Sequence, residues 1–123
     1  MKLDFLSIAA LLGVLSVSIG AFGAHGLHDL LLRNNRIDTF ETAVKYQFYH
    51  TLVMVIIGFV LRQYGFNSNL NWACIFFLVG IIIFSGSLYI LCLTNIKWLG
   101  AITPIGGLAF ILGWVYLFIY SIK

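Results

Sequence analysis

Apolar and polar positions along this chain alternate on the scale of a membrane, not of a strand or a surface helix. Four long apolar runs, at about 5–24, 40–61, 72–93 and 103–121, are separated by short polar breaks. Each run is close to the length of about 20 residues that an α-helix needs to cross hydrocarbon. In lipid every backbone N–H and C=O must be satisfied within its own segment, which makes these runs helices. The pattern predicts an all-α integral membrane four-helix bundle, with residues 1–123 as a single transmembrane domain.

The breaks refine the ends. Asp38 and Glu41 have capping-box spacing, so a second helix is expected to start at Asp38 and run to about Arg62. Its first turns are amphipathic, with Phe40, Val44 and Phe48 apolar and Glu41, Lys45 and Gln47 polar. Thr103 reads as an N-cap and Pro104 as the first helical residue of the fourth span. Trp72 and Trp98, with Tyr64 and Tyr120, fall where aromatic side chains mark the two interfaces. Between the first two spans, Leu27, Leu30, Leu31 and Leu32 alternate with His28, Asp29 and Arg33, a pattern suited to a short interfacial helix. Lys2 followed by an apolar run ending near Ala21 also resembles a signal peptide, but a four-span bundle requires this helix.

Composition supports the same class. Of 123 residues, 62% are hydrophobic and 9% charged, with mean hydropathy +1.05. That charge content could not cover a water-facing surface. The formal charge of +3 is seven Lys and Arg against four Asp and Glu, and the cations are scattered near span ends with no basic stripe for nucleic acid. Cations divide almost evenly between the two faces, and we assign both termini to the cytoplasmic side. Cys74 and Cys92 lie about 27 Å apart along one helix, too far to pair, and read as lipid-facing or packing residues. No motif for a cofactor is present.

Helix association in lipid depends on close backbone approach. Gly13, Ser16, Gly20 and Gly23 share one face of the first span. The third span offers Gly80 and Ser87, and the fourth offers Gly106, Gly107 and Gly113. Three of the four spans thus carry small-residue faces, and a homo-oligomer surrounded by membrane lipids is expected.

The polar candidates gather towards one side: His25, His28 and Asp29 after the first span, and Glu41, Lys45, Tyr46, Gln47 and His50 in the second. Antiparallel neighbours would bring His25 and His50 to similar depth. Three readings compete. These groups pin the loop by bonding one another; or His50, Tyr46, Gln47 and Ser87 line a polar path for a transporter or channel; or His25, His28 and His50 bind metal, although no diagnostic ligand spacing supports this. Ser85 and Ser87 with His50 lack the surroundings of a hydrolase site. No carboxylate lies mid-span, which argues against proton-coupled cation export. No catalytic residue is assigned.

The segments Gly20-Ala21-Phe22-Gly23-Ala24-His25-Gly26-Leu27, Phe40-Glu41-Thr42-Ala43-Val44-Lys45-Tyr46-Gln47 with His50, Phe84-Ser85-Gly86-Ser87-Leu88-Tyr89, and Ile102-Thr103-Pro104-Ile105-Gly106-Gly107 with Gly113-Trp114 occur in this order. Together they resemble a small bacterial inner-membrane family known as a domain of unknown function, which includes animal transmembrane protein 256. The resemblance implies a four-helix membrane protein without an established reaction. It brings no catalytic residues. It marks His25, Tyr46, Gln47, His50, Ser85, Ser87, Tyr89, Thr103 and Pro104 as parts of a shared pattern.

Overall fold

A computed structural model describes residues 3–123. The first span is α1 (Phe5–Ala24), followed by a one-and-a-half-turn interfacial helix α2 (His28–Arg33) and the long α3 (Ile37–Tyr64). The third span is continuous from Ser68 to Thr94 but not uniform. It consists of α4 (Ser68–Gly80), a π-helical turn (Ile81–Ser85) and α5 (Gly86–Thr94). A 3₁₀ turn (Lys97–Ala101) leads into α6 (Thr103–Ser121). Four helices have the length and apolar content to cross a membrane.

Helix starts depart from the expected caps. The α3 N-cap is Arg36, without a side-chain bond, and the Asp38–Glu41 capping box does not form. Asp38 lies inside the first turn, and its carbonyl accepts from Thr42 Oγ1 at 2.9 Å. Thr103 is not an N-cap either, because the 3₁₀ turn continues through Ile102 in helical conformation. The side-chain caps are at Asp4, which accepts from Ser7 N at 3.0 Å, and at Asn67, which accepts from Leu70 N at 3.1 Å.

α1 packs mainly on α3, α6 mainly on the third span, and α3 with the third span joins the two pairs. Only Ala9, Ser16 and Gly23 of α1 are buried, a seam of small residues at seven-residue spacing. Gly20 flanks it, where a Cβ would meet Val44 at 3.3 Å, while Gly13 is at the margin. The tightest backbone approach of this pair is at Gly58, where a Cβ would stand 2.6 Å from Leu6 N. The sequence reading left the second span without a small-residue contact; this lone glycine in an apolar run corrects it. On the other pair, Gly106 meets the Phe84 backbone, and Gly80 and Gly113 admit the rings of Phe110 and Phe77. Gly107 has nothing within 4 Å, so its expected packing role is not found within the chain.

Cys74 and Cys92 are fully buried packing residues, not lipid-facing ones. The loop before α3 is pinned from the far end of the third span. Asn34 Nδ2 donates to Cys92 O at 2.9 Å, and Arg36 Nε donates to Asn95 Oδ1 at 3.1 Å. Asn35 and Asn95 take left-handed backbone conformations, φ 55° and 57°, which Asn tolerates better than most residues.

Candidate functional site: a closed polar interior and an open interfacial groove

Contacts of Gly23 with Phe40, Gly20 with Val44, Gly13 with Thr51 and Gly58 with Leu6 define the antiparallel register of α1 and α3. His50 therefore lies opposite Val14, half-way along α1 and near the membrane midplane. His25 is about 11 residues, or roughly 16 Å, nearer the interface. The expected shared depth of His25 and His50 is corrected by this register.

His50 is 5% exposed. Trp114 Nε1 donates to its Nε2 at 3.1 Å, and Nδ1 lies 2.7 Å from Tyr46 O. An indole N–H only donates, so Nε2 must carry a lone pair and Nδ1 the proton. This hydrogen-bond pattern assigns a neutral imidazole whose two nitrogens are both engaged. The ring stacks on Phe110 with centroids 3.7 Å apart, and Phe77 and Tyr46 complete an aromatic cage. Trp114 itself is 45% exposed and closes the cage towards lipid.

Apart from Thr51, the other buried intramembrane polar side chains are satisfied in separate clusters. Gln47 accepts from Tyr89 Oη at 2.5 Å and donates through Nε2 to Leu12 O at 3.3 Å, joining α5, α3 and α1. Ser87 Oγ lies 2.7 Å from Thr103 Oγ1. Ser85 Oγ donates to Ala43 O at 2.7 Å from the π-helical turn, where the extra residue per turn rotates it towards α3. Among the described residues, Thr51 Oγ1 is the only buried side-chain N or O atom without a partner. His50, Gln47 and Ser87 are therefore not joined into one polar path, and neither serine touches His50. His25 and His28 are exposed at the surface, with His28 Nδ1 3.8 Å from its neighbour Asp29. They neither converge with His50 on a metal position nor pin the loop; Asn34 and Arg36 do the pinning.

Sequence reasoning missed Trp114 and Phe110 as the partners of His50. The signals were a Trp in mid-span, away from both interfaces, and its place in the Gly113-Trp114 segment.

At the interface, the end of α1, α2 and the start of α3 enclose an open groove of about 330 Å³. Its floor is apolar, with Gly20 and Gly23 on one side and Phe40 and Val44 on the other. Leu31 of α2 closes one wall, and His28, Glu41 and Lys45 form the polar part of the lining. The glycines both seat α1 on α3 and leave the groove unfilled. A second groove, of about 600 Å³, lies at the opposite membrane face beside Asp4 and Arg62. There the two charged groups bind each other, with Arg62 Nη2 and Nε 2.7 and 2.8 Å from the carboxylate.

The fold and these sites define a multi-pass membrane protein with a self-satisfied polar interior and grooves at its two faces. The chain belongs to the family described as "Protein of unknown function (DUF423)", which it matches over residues 19–107. It is 51% identical to a UPF0382 membrane protein of Staphylococcus haemolyticus, over 100% of this chain and 98% of that one. It is 38% identical to the UPF0382 membrane protein YwdK of Bacillus subtilis, over 97% of this chain and 96% of that one. No solved structure matches.

Proposed function

We propose that this protein is a non-enzymatic membrane component that binds a lipid in the interfacial groove between α1, α2 and α3. The observation that carries this reading is the groove's composition and place. A mostly apolar lining opens at the end of a span, where acyl chains meet headgroups, and Glu41 and Lys45 are its charged members. Its volume of about 330 Å³ falls in the range of small-molecule sites, roughly 300–1,000 Å³. An acyl chain would cover the glycine floor without leaving a polar group unsatisfied. The bacterial relatives named as membrane proteins support a place in the bacterial cell membrane, and our proposal sets both termini on the cytoplasmic side.

The test is lipid retention after gentle extraction, measured by native mass spectrometry. Gly20→Leu places a side chain in the groove with its Cβ 3.3 Å from Val44 Cγ1, so helix content and monodispersity of the variant are measured beside its lipid. Gly107→Leu is the control, because that position faces open space. Wild type and Gly107→Leu should retain bound lipid, and Gly20→Leu should lose it. Equal retention by all three would refute the groove as the site.

A further inference from the structure

Lys45 and Glu41 occupy the same face of α3, one turn apart, and both line the groove. A Glu four residues before a Lys commonly forms an ion pair on a helix. Here neither side chain makes an ion pair or side-chain hydrogen bond among the described residues. The α1–α3 register gives the two groups different depths. Glu41 is level with Gly23, at the end of α1, whereas Lys45 is level with Ile19, about 6 Å deeper along the helix axis. Lys45 is exposed, and its stem can carry the ammonium outwards to the headgroup level, but its anchor on α3 is one turn deeper than that of Glu41. In the groove at the opposite face, Asp4 and Arg62 neutralise one another.

A cation anchored one turn deeper than an anion on the same face of the groove is the complement of a particular headgroup. In an amine-bearing phospholipid the phosphate lies next to the glycerol and acyl chains, and the ammonium lies further towards water. We infer that the groove selects this lipid class, with the phosphate on Lys45 and the headgroup ammonium on Glu41. His28, on the α2 side of the groove, stands at the same rim. The inference rests on the lipid-binding reading above and adds the chemistry of the headgroup.

The experiment presents the full-length protein in detergent micelles with equimolar phosphatidylethanolamine, phosphatidylglycerol and phosphatidylcholine carrying identical chains. Retained lipid is then measured by native mass spectrometry. Wild type should retain phosphatidylethanolamine about fivefold over phosphatidylglycerol, which has no headgroup cation, the ratio expected of one exposed charge contact. Phosphatidylcholine, with the charge but no N–H donor, should fall between them. Glu41→Gln should retain phosphatidylethanolamine and phosphatidylglycerol equally, and Lys45→Gln should lower retention of all three. Gly20→Leu should abolish the preference. Equal retention of the three lipids by wild type, or an unchanged preference in Glu41→Gln, would overturn the headgroup assignment while leaving lipid binding in place. A preference that survives Gly20→Leu places the selection elsewhere and overturns it as well. No retained lipid in any protein would overturn both readings.

Discussion

Gly106→Ala adds one methyl group to α6 at its closest approach to the third span. The new Cβ would stand 2.4 Å from Phe84 N and 2.8 Å from Phe84 Cα. These are backbone atoms, so no rotamer change relieves the overlap. α6 must instead retreat by about 1 Å to restore ordinary contact distances. That movement also loosens Phe110, which stacks on His50, and Gly113, which receives the Phe77 ring. Overpacking typically costs ~1–3 kcal/mol, and a backbone obstacle puts this case near the upper end. Alanine's better helix propensity offsets ~1 kcal/mol of it. The net loss is about 2 kcal/mol, or roughly a thirtyfold fall in the folded-to-unfolded ratio. Gly107→Ala is the matched control one residue away, where a Cβ meets nothing within 4 Å. It should be neutral, or more stable by up to ~1 kcal/mol through propensity alone. The assay is unfolding in mixed micelles of rising sodium dodecyl sulfate fraction, followed by far-UV circular dichroism. Similar curves for the two variants would refute the assigned contact between α6 and the third span.

Three further predictions test the polar groups. Trp114→Phe keeps much of the cage but removes the donor to His50 Nε2, which should cost ~1 kcal/mol. It should also perturb the imidazole ¹⁵N shifts, and unchanged shifts would refute the assigned tautomer. Tyr89→Phe removes the hydroxyl that donates to Gln47 and should cost ~0.6–1.7 kcal/mol in the same micelle titration, the range for bonds between membrane helices; no loss would show that Gln47 re-pairs. At the N-terminus, hydrogen bonds from Arg62, and then from the Ser7 amide, hold the Asp4 carboxyl below the usual carboxylate range. A depressed carboxylate contributes its stabilisation above its unfolded titration range and loses it as pH falls through the folded value. Protection of the Ser7 amide, corrected for intrinsic exchange, should therefore hold from neutral pH to about pH 5 and fall only in stronger acid. A fall near pH 6 would contradict the pairing.

Most of the fold was legible because the bilayer imposes a coarse and severe rule. The four apolar runs had to be helices of nearly fixed length, and the α1 and α6 bounds follow from that. The mixed segment after Ala24 had to lie in the interface, and α2 does. What stayed hidden depends on phase and register. The π-helical turn at Ile81–Ser85 arises from packing between the third span, α3 and α6, and a run of Ile and Phe carries no mark of it. Two caps were misplaced because Asp38 and Thr103 are good capping residues in positions already helical. Asp4 and Asn67, the residues that do cap, have no matching Glu or Gln three residues later to announce them. Gly58 escaped because one glycine does not make a stripe. The candidate site was half legible: its side of the membrane and its residues Lys45, Glu41 and His28 were visible. The depth of His50 required the α1–α3 register.

That depth changes what the polar residues mean. A histidine at the midplane of a small bundle is by default a candidate for transport. Here Trp114 occupies one ring nitrogen, the Tyr46 carbonyl the other, and Phe110 covers a face. A proton on Nε2 would face the Trp114 N–H, so the indole holds that nitrogen as an acceptor. Gln47 and Ser87 are likewise closed by Tyr89 and Thr103. These groups fix how four helices meet, and their substitution should act through stability. Lys45 and Glu41 are the reverse case. They contribute no side-chain bond to the fold, yet they line the groove at different depths. Loss of the proposed lipid retention with the fold intact should therefore follow from changes at these two positions and not at His50.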